Sequence, residues 1–237
     1  MSGFGAPHLH LRSIDSTNER ARELAEAGAP SGTIVTAEEQ TAGRGRLGRG
    51  WSAPPGKALL FSAILGPLEP RHGLLPLAVP LAVCEAIESV AEHECRIKWP
   101  NDVWIDERKA AGVLIEARPP NWAVIGIGVN VAIAPDEFPA DVRWPAASIG
   151  PEVELAELRE ALCGALSEWV QATDTTVLEG YRGRDALADR PISWEGSGGG
   201  EGVGAGIDER GNLLVERADG ELVSLGSGEV ALRLAQP

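Results

Sequence analysis

The spacing of apolar residues along the chain predicts helices and strands in mixed order. Apolar residues recur at helical spacing over residues 16–28, 74–91 and 154–172. β-Branched or continuously apolar runs predict strands over residues 32–39, 58–65, 96–99, 103–105, 110–117 and 122–131. The segments 98–105 and 110–117 are separated by a short polar turn, which favours their pairing as a hairpin.

The first predicted helix carries signals at both of its ends. Ser16 is a candidate N-cap, and Glu19, three residues later, completes a capping box. Gly28 occupies the position at which a helix typically stops. In the segment 74–91 two prolines restrict only the first turns, and we predict a buried helix there.

The chain after Arg190 has a different pattern. Short strands are predicted near residues 191–195, 202–207, 212–217, 221–225 and 229–234, with the turn sequences ERGN and ADGE among them. Strands at this spacing indicate a small barrel. We expect the glycine-rich stretch 196–206 to be a hairpin loop rather than a ligand site, and we predict two domains, over residues 1–188 and 189–237.

Net charge restricts the classes of partner. The 237 residues include 21 Lys and Arg against 35 Asp and Glu, a formal net charge of −14. Such a charge argues against broad contact with nucleic acids or anionic membranes, whose phosphates need a positive surface. The sequence suggests no apolar run long enough to span a bilayer and no signal peptide, so we expect a cytoplasmic protein. Because the net charge is negative, any anion that the protein binds must be held at a local positive site.

One loop departs from this acidity. Residues 40–52, QTAGRGRLGRGWS, contain Arg44, Arg46 and Arg49, and no acid occurs from Gln40 to Leu68. We call this segment the arginine loop. Its glycines match GxGxxG, but prolines follow where a dinucleotide site needs a helix, so that site is excluded. One short basic segment also supplies too few phosphate contacts for nucleic-acid binding.

Two interpretations of the arginine loop remain, a solvated surface loop and a lid that binds an anion. Surface loops usually mix charge signs, whereas this one does not. Glycine lets the backbone approach a ligand, and guanidinium groups bind carboxylates or phosphates through paired hydrogen bonds. We therefore favour a lid that is mobile without its ligand and ordered over it.

Two further segments place polar side chains beside apolar strands. In KWPNDVWIDERKAAG, residues 98–112, the predicted hairpin brings together the side chains of Lys98, Asn101, Asp102 and Lys109. The alternative is an ordinary charged hairpin. Asn130 ends the apolar strand that contains GIGVN, either as a turn cap or as an amide aimed at a ligand.

Together these segments resemble the biotin protein ligases. The resemblance rests on STN at 16–18, GRGRLGRGW in the arginine loop, KWPND at 98–102, KAAGVLIE at 109–116 and GIGVN at 126–130, in the family's order. It extends over about the whole chain. It implies an α+β fold, in which a mixed-sheet catalytic domain resembling class II aminoacyl-tRNA synthetases is followed by a small SH3-like barrel.

The resemblance implies a two-step reaction. Biotin and MgATP give biotinyl-5′-AMP and pyrophosphate, and a lysine of a biotin carboxyl carrier domain then takes the biotinyl group and releases AMP. The cofactors implied are ATP and Mg²⁺, with the metal held mainly through phosphates rather than by a protein site. The expected partners are biotin, ATP and the carrier domain, with no nucleic acid and no membrane.

The matching positions imply roles for individual residues. Lys109 and Arg46 are the expected catalytic residues, and we add Asp102 as a candidate base for the acceptor amine. Biotin contacts are expected from Ser16, Thr17, Asn18, Gln40, Arg44, Gly45, Arg46, Lys109 and Gly112. Nucleotide contacts are expected from Arg46, Arg49, Trp51, Lys98, Asn101 and Asn130. Helix capping is an alternative explanation of Ser16.

Two other functions stay open as alternatives. Some family members are biotin-responsive repressors with an N-terminal DNA-binding domain. Here 15 residues precede Ser16 and no basic recognition helix is evident, so we expect no specific DNA binding. Lipoate ligases and octanoyl transferases share the implied fold, but the arginine loop together with KWPND favours biotin.

Overall fold

The computed structural model describes residues 3–139, 145–195, 199–226 and 231–234. Its helices are α1 (Thr17–Glu26), α2 (Leu75–Val90), α3 (Leu155–Trp169) and α4 (Asp174–Arg184). The strands before α3 are β1 (His8–Ile14), β2 (Ile34–Gln40), β3 (Ala58–Leu65), β4 (Arg96–Lys98), β5 (Asp102–Ile105), β6 (Arg108–Arg118) and β7 (Trp122–Asn130). Those after α4 are β8 (Pro191–Glu195), β9 (Gly200–Ile207), β10 (Leu213–Glu216), β11 (Leu222–Leu225) and β12 (Ala231–Leu234).

The strands form two sheets. A seven-stranded sheet has the order β1-β2-β3-β7-β6-β5-β4, and a five-stranded sheet has the order β11-β10-β9-β8-β12. The large sheet is mixed, because β1 and β2 are parallel whereas β2 and β3 are antiparallel. The predicted α+β architecture, with a mixed sheet followed by a small β module, is confirmed. Closure of the small sheet into an SH3-like barrel and the boundary at residue 188 stay predictions.

Both faces of the large sheet are covered. On one face α2 and α3 pack against side chains such as Leu59, Phe61 and Ile125. On the other face α1 packs through Ala21 and Ala25 against neighbouring strands. A strand buried on both faces needs no alternation of apolar and polar residues, which explains the continuous apolar run of β3.

One apolar segment of the core differs from the prediction about membrane-spanning runs. The segment Pro70–Val90, which includes α2, is 21 residues long with a mean hydropathy of 1.6, so by length and composition it suffices to cross a membrane. The expectation that no run is long enough was therefore wrong. The window is 67% buried inside the protein. Its apolar character is accounted for by its position in the core, where it packs against both the sheet and α3.

Two elements were not predicted. The edge strand β1 has the sequence HLHLRSI, in which the apolar residues Leu9, Leu11 and Ile14 are only partly buried. Helix α4 buries only Val177, Leu178 and Tyr181 and contains two glycines, so its periodicity is weak. Residues 196–198 of the predicted glycine-rich loop and residues 229–230 of the last predicted strand lie outside the described residues.

The ends of α1 differ partly from the prediction. Ser16 is the N-cap residue, but its side chain makes no capping hydrogen bond. Glu19 bonds to Arg22 and Arg44 instead of reaching back to Ser16, so the predicted capping box is wrong. Gly28 follows the helix with φ of +87°, a conformation in which glycine avoids the cost of a side chain.

An ion pair joins α2 to α4 beside the start of β4. The two Arg184 guanidinium nitrogens donate to the Glu88 carboxylate at 2.5 and 2.7 Å, and the backbone N–H of Cys95 donates to the same carboxylate at 2.8 Å. Burial raises the pKa of Glu88, but the hydrogen bonds from Arg184 and Cys95 outweigh it and lower the pKa below its ordinary value. The carboxylate form is therefore the one that stabilises the fold.

Replacing Glu88 by Gln tests this junction. At neutral pH we expect Glu88→Gln to lower the free energy of unfolding by about 1–2 kcal/mol, since the pair is partly exposed. Because the folded-state pKa is lowered, the stabilisation is complete above the ordinary glutamate value of ~4.3. It is lost as the pH falls through the folded value. Urea unfolding at neutral pH and at about pH 3 measures the difference.

The exposed Glu92, just beyond the end of α2, provides the matched control. Glu92→Gln is expected to change the free energy of unfolding by less than about 0.5 kcal/mol. A Glu88→Gln effect of the same size at both pH values would contradict the assignment of the carboxylate as the stabilising form.

Candidate functional site

A cavity of about 120 Å³ lies at the large sheet, enclosed by the arginine loop, the start of α1 and the turn that carries KWPND. Most residues expected at a ligand site line it. They are Ser16, Thr17, Asn18, Gln40, Arg44, Gly45, Arg46, Arg49, Trp51, Lys98, Asn101, Asp102, Lys109 and Gly112. Asn130 is the exception. The predicted pairing of residues 98–105 with 110–117 is confirmed, since β5 and β6 are antiparallel neighbours.

The arginine loop is a tight hairpin over this cavity. Arg44 and Gly50 pair across it, the N–H of Gly45 donates to the Arg49 carbonyl at 2.7 Å, and the N–H of Trp51 donates to the Gly43 carbonyl at 2.9 Å. At its tip Leu47 has φ of 56° and remains 57% exposed. This geometry holds three guanidinium groups at one cavity. Movement of the loop on ligand binding stays a prediction.

Trp51 packs flat against glycines of the sheet. A β-carbon added at Gly128 would overlap the indole ring, and one at Gly112 would lie 3.0 Å from it. The ammonium of Lys109 lies 5.6 Å from the centre of the same ring, within range of a cation–π contact. Glycines at these positions therefore allow the loop to approach the sheet.

The cationic end of the cavity contains a single acid among its described residues. The Lys109 ammonium lies 2.7 Å from the Asp102 carboxylate, which is largely buried. Lys98 is also buried, with its ammonium over the ring of Trp104. Burial lowers the pKa of Arg46. The negative charge of Asp102 opposes this lowering, and the positive charge of Arg49 adds to it. Four cationic side chains around one carboxylate leave an excess of positive charge suited to an anion.

The opposite end of the cavity is polar and uncharged. The backbone and hydroxyl of Thr17 both donate to the Gln40 side-chain oxygen, at 2.8 and 3.0 Å. Ser62 lies between Thr17 and Asn18, with its hydroxyl oxygen 2.9 Å from Thr17 Oγ1 and 2.7 Å from Asn18 Oδ1. A β-carbon at Gly126 would overlap the side chain of Asn18. These groups are held by one another in fixed orientations.

Asn130 acts on the backbone rather than in the cavity. Its amide nitrogen donates to the carbonyls of Ala147 and Lys109 at 3.1 and 3.3 Å, and the side chain is buried. The carbonyl of Pro145, two residues before Ala147, accepts a hydrogen bond from the backbone N–H of Lys109 at 2.7 Å. Asn130 thus fixes the stretch of β6 from which Lys109 projects. The Asn101 amide similarly donates to the Val113 carbonyl at 2.8 Å, which braces the turn against β6.

Sequence reasoning missed two polar residues near the uncharged end, Ser62 and Glu116. Glu116 pairs with Arg44 at 2.9 Å and accepts from Asn18 at 3.0 Å. Each had a signal, because Ser62 is the one polar residue in ALLFSAIL and Glu116 interrupts the apolar character of VLIEA. A polar residue inside a buried strand requires a partner. The identity of that partner was not evident from the sequence.

Comparison with known proteins agrees with this arrangement. Residues 10–130 match the biotin/lipoate A/B protein ligase family, and residues 201–233 match the biotin protein ligase C terminal domain. The chain belongs to the biotin/lipoate A/B protein ligase family. A biotin–[acetyl-CoA-carboxylase] ligase of Mycobacterium tuberculosis is 33% identical over 229 residues, which cover 91% of this chain and 85% of that protein.

Other relatives of this ligase family differ in how much of their length is matched. A bifunctional ligase/repressor of Bacillus spizizenii is 40% identical over 142 residues, which are 57% of this chain but only 44% of that protein. Among solved structures, the biotin protein ligase of Aquifex aeolicus in complex with biotin and ATP has a TM-score of 0.85 and 30% identity. That similarity covers 98% of this chain and 100% of the Aquifex chain.

The contact between Gly126 and Asn18 can be tested by adding one methyl group. Gly126→Ala is expected to lower the free energy of unfolding by about 1–3 kcal/mol, because the methyl group must displace the buried Asn18 amide. Gly164→Ala is the matched control, since Gly164 lies inside α3 and a β-carbon added there would meet no atom within 4 Å. There the substitution should stabilise the protein by about 0.5–1 kcal/mol. Urea unfolding measures the free energy of unfolding of both variants. An unchanged value for Gly126→Ala would contradict the close contact between Gly126 and Asn18.

Proposed function

We propose that this chain is a biotin protein ligase. It activates biotin with ATP to biotinyl-5′-AMP and transfers the biotinyl group to a lysine of a carrier domain. The single observation that carries the proposal is the joining of two chemically different ends in one cavity, cationic at Lys98, Arg46 and Lys109 and uncharged at Thr17 and Asn18. We also propose a cytoplasmic location, where ATP is available. Family membership and the named relatives support this activity.

The first step brings two anions together. A carboxylate oxygen of biotin bonds to the α-phosphorus of ATP while the bond from that phosphorus to pyrophosphate breaks. Arg46 and Lys109 lower the repulsion and stabilise charge on the α-phosphate. We assign Lys98 and Asn101 to the phosphate end, and Arg49 and Trp51 to the nucleotide that the loop covers. The ion pair of Lys109 with Asp102 positions the ammonium before the substrates enter.

The uncharged end is assigned to the ureido ring of biotin. A ureido group has N–H donors and a carbonyl acceptor, which hydroxyl and amide side chains satisfy without a charge. We assign Ser16, Thr17, Asn18 and Gln40 to this ring. Gly45 and Gly112 allow the backbone to approach the ligand, and Arg44 closes the loop beside it. Asn130 is proposed as a positioning residue for Lys109 rather than as a direct nucleotide contact.

Mg²⁺ is the metal implied by ATP chemistry. The described residues contain no group of three or more His, Cys, Asp or Glu side chains placed to hold an ion. Asp102 is the one carboxylate among the described residues that line the cavity. This donor set fits a metal that enters with ATP and is held chiefly by phosphate oxygens, with Asp102 as the nearby protein oxygen. When bound, such an ion neutralises phosphate charge.

The second step requires an uncharged acceptor amine. The amine nitrogen bonds to the biotinyl carbonyl carbon, AMP leaves with the bonding electrons, and the nitrogen loses a proton. A lysine has an ordinary pKa of ~10.4, so it is mostly protonated at neutral pH. We propose that Asp102 accepts the proton that the acceptor ammonium must lose, because its carboxylate lines the cavity beside Lys109.

Pyrophosphate release tests the substrate and the catalytic cations together. With MgATP, we expect release with biotin but not with lipoate or octanoate. Lys109→Ala and Arg46→Ala should each lower the rate about 10²–10³-fold, because each removes a positive group from the reacting phosphate. Arg159→Ala, on the surface of α3, is the control and should keep the rate. Release with lipoate in preference to biotin would overturn the assignment.

Transfer from preformed biotinyl-5′-AMP tests the role of Asp102 separately. We expect Asp102→Asn to slow transfer to a carrier domain at neutral pH, because no carboxylate then receives the amine proton. The deficit should shrink as the pH rises toward the lysine pKa of ~10.4, where the amine is already deprotonated. Transfer rates that match the unsubstituted protein across the whole pH series would remove this role from Asp102.

A further inference from the structure

The Glu116 carboxylate has a different partner on each oxygen. Glu116 lies near the end of β6, and its side chain is 25% exposed. One oxygen lies 2.9 Å from the guanidinium of Arg44, in the arginine loop. The other accepts a hydrogen bond from the amide nitrogen of Asn18 at 3.0 Å. A single side chain therefore contacts both the loop and the uncharged end of the cavity.

The contact with Asn18 determines which way that amide faces. A carboxylate only accepts hydrogen bonds, so the NH₂ group of Asn18 must point toward Glu116. The same NH₂ group donates to the Leu114 carbonyl at 3.4 Å, and the amide oxygen lies 2.7 Å from the Ser62 hydroxyl. The amide packs directly against the backbone of Gly126, in the space that a β-carbon would take. The Asn18 side chain can therefore offer a ligand only a hydrogen-bond acceptor, the second lone pair of its amide oxygen.

The contact with Arg44 fastens the loop. The other guanidinium nitrogen of Arg44 lies 3.0 Å from the Glu19 carboxylate in α1, so Arg44 bridges α1 and β6. A hydrogen bond from Arg22, followed by the charges of Arg22 and Arg44, lowers the pKa of Glu19 despite an opposing effect of burial. The Glu19 carboxylate that holds Arg44 is thereby available as an anion near neutral pH.

We propose that Glu116 is a positioning residue that orients Asn18 as a hydrogen-bond acceptor for a ureido N–H and anchors the arginine loop through Arg44. This inference rests on the proposed function, because it takes biotin as the ligand. Glu116 itself does not line the cavity, so it acts through Asn18 and Arg44 rather than on the substrate.

The substitution Glu116→Gln isolates the role of the carboxylate. Glutamine has nearly the same shape, but it offers one oxygen and one NH₂ group to two donors. Either Asn18 turns over and presents its NH₂ group, or one contact is lost. We expect the KM for biotin to rise about tenfold while the KM for ATP stays within about twofold, which a general structural defect would not produce. Trypsin cleavage within the loop should also accelerate, because Arg44 loses a charged partner.

The double substitution Asn18→Asp with Glu116→Gln provides the rescue. It exchanges the amide and the carboxylate at unchanged net charge, so the introduced glutamine donates its NH₂ group to the introduced aspartate, which still presents an acceptor to the ligand. We expect the double variant to recover most of the biotin KM lost in Glu116→Gln. Glu179→Gln, at an exposed position of α4, is the control and should leave both KM values unchanged. Thermal unfolding of each variant confirms that the fold is intact.

The outcomes separate this inference from the proposed function. An unsubstituted protein that releases no pyrophosphate with biotin would refute the function itself. With an active protein, an unchanged biotin KM in Glu116→Gln, an equal rise of both KM values, or a double variant no better than the single one would overturn the orienting role. An unchanged rate of loop cleavage would overturn the anchoring role.

Discussion

The ion pair between Lys109 and Asp102 is the interaction on which the site depends. Positive groups of Lys98, Arg46 and Arg49 converge on the same cavity and repel one another. Asp102 is the one acid among the described residues of its lining, and its contact with Lys109 at 2.7 Å offsets part of this repulsion. The fold holds both partners through backbone, because β5 and β6 pair directly. The positive charge that remains in excess is suited to an anion, although the formal net charge of the protein is −14.

The close approach of the Trp51 ring to the backbone of the sheet is a second constraint on the same site. Trp51 packs on the glycines of β6 and β7, and an added methyl at Gly128 would displace it. The arginine loop therefore reaches the sheet only where the strands lack side chains. At the other end of the cavity Gly126 makes room for Asn18 in the same way. The glycines of GIGVN thus serve two different contacts, one for the loop and one for α1.

Residues outside the cavity determine what the residues inside it present. Asn130 holds the carbonyl of Lys109, and Glu116 holds the side chain of Asn18. A side-chain amide presents either a donor or an acceptor, and only its fixed neighbours decide which. The hydrogen-bonding group that Asn18 presents to the cavity therefore depends on a side chain that does not line it. The same logic applies to the loop, which Arg44 joins to two elements.

The sequence by itself determined the arginine loop, the β5–β6 hairpin, the continuous apolar strand β3 and the small β module. In each case the signal is local, since charge, glycine and apolar periodicity are read within a few residues. Only the tertiary structure decided that Asn130 faces the backbone, that Pro70–Val90 is a core helix, and that Ser62 and Glu116 meet Asn18. Those two partners lie 44 and 98 residues from Asn18 in the chain. Contacts at such separations follow from strand order and helix packing, which no short segment encodes.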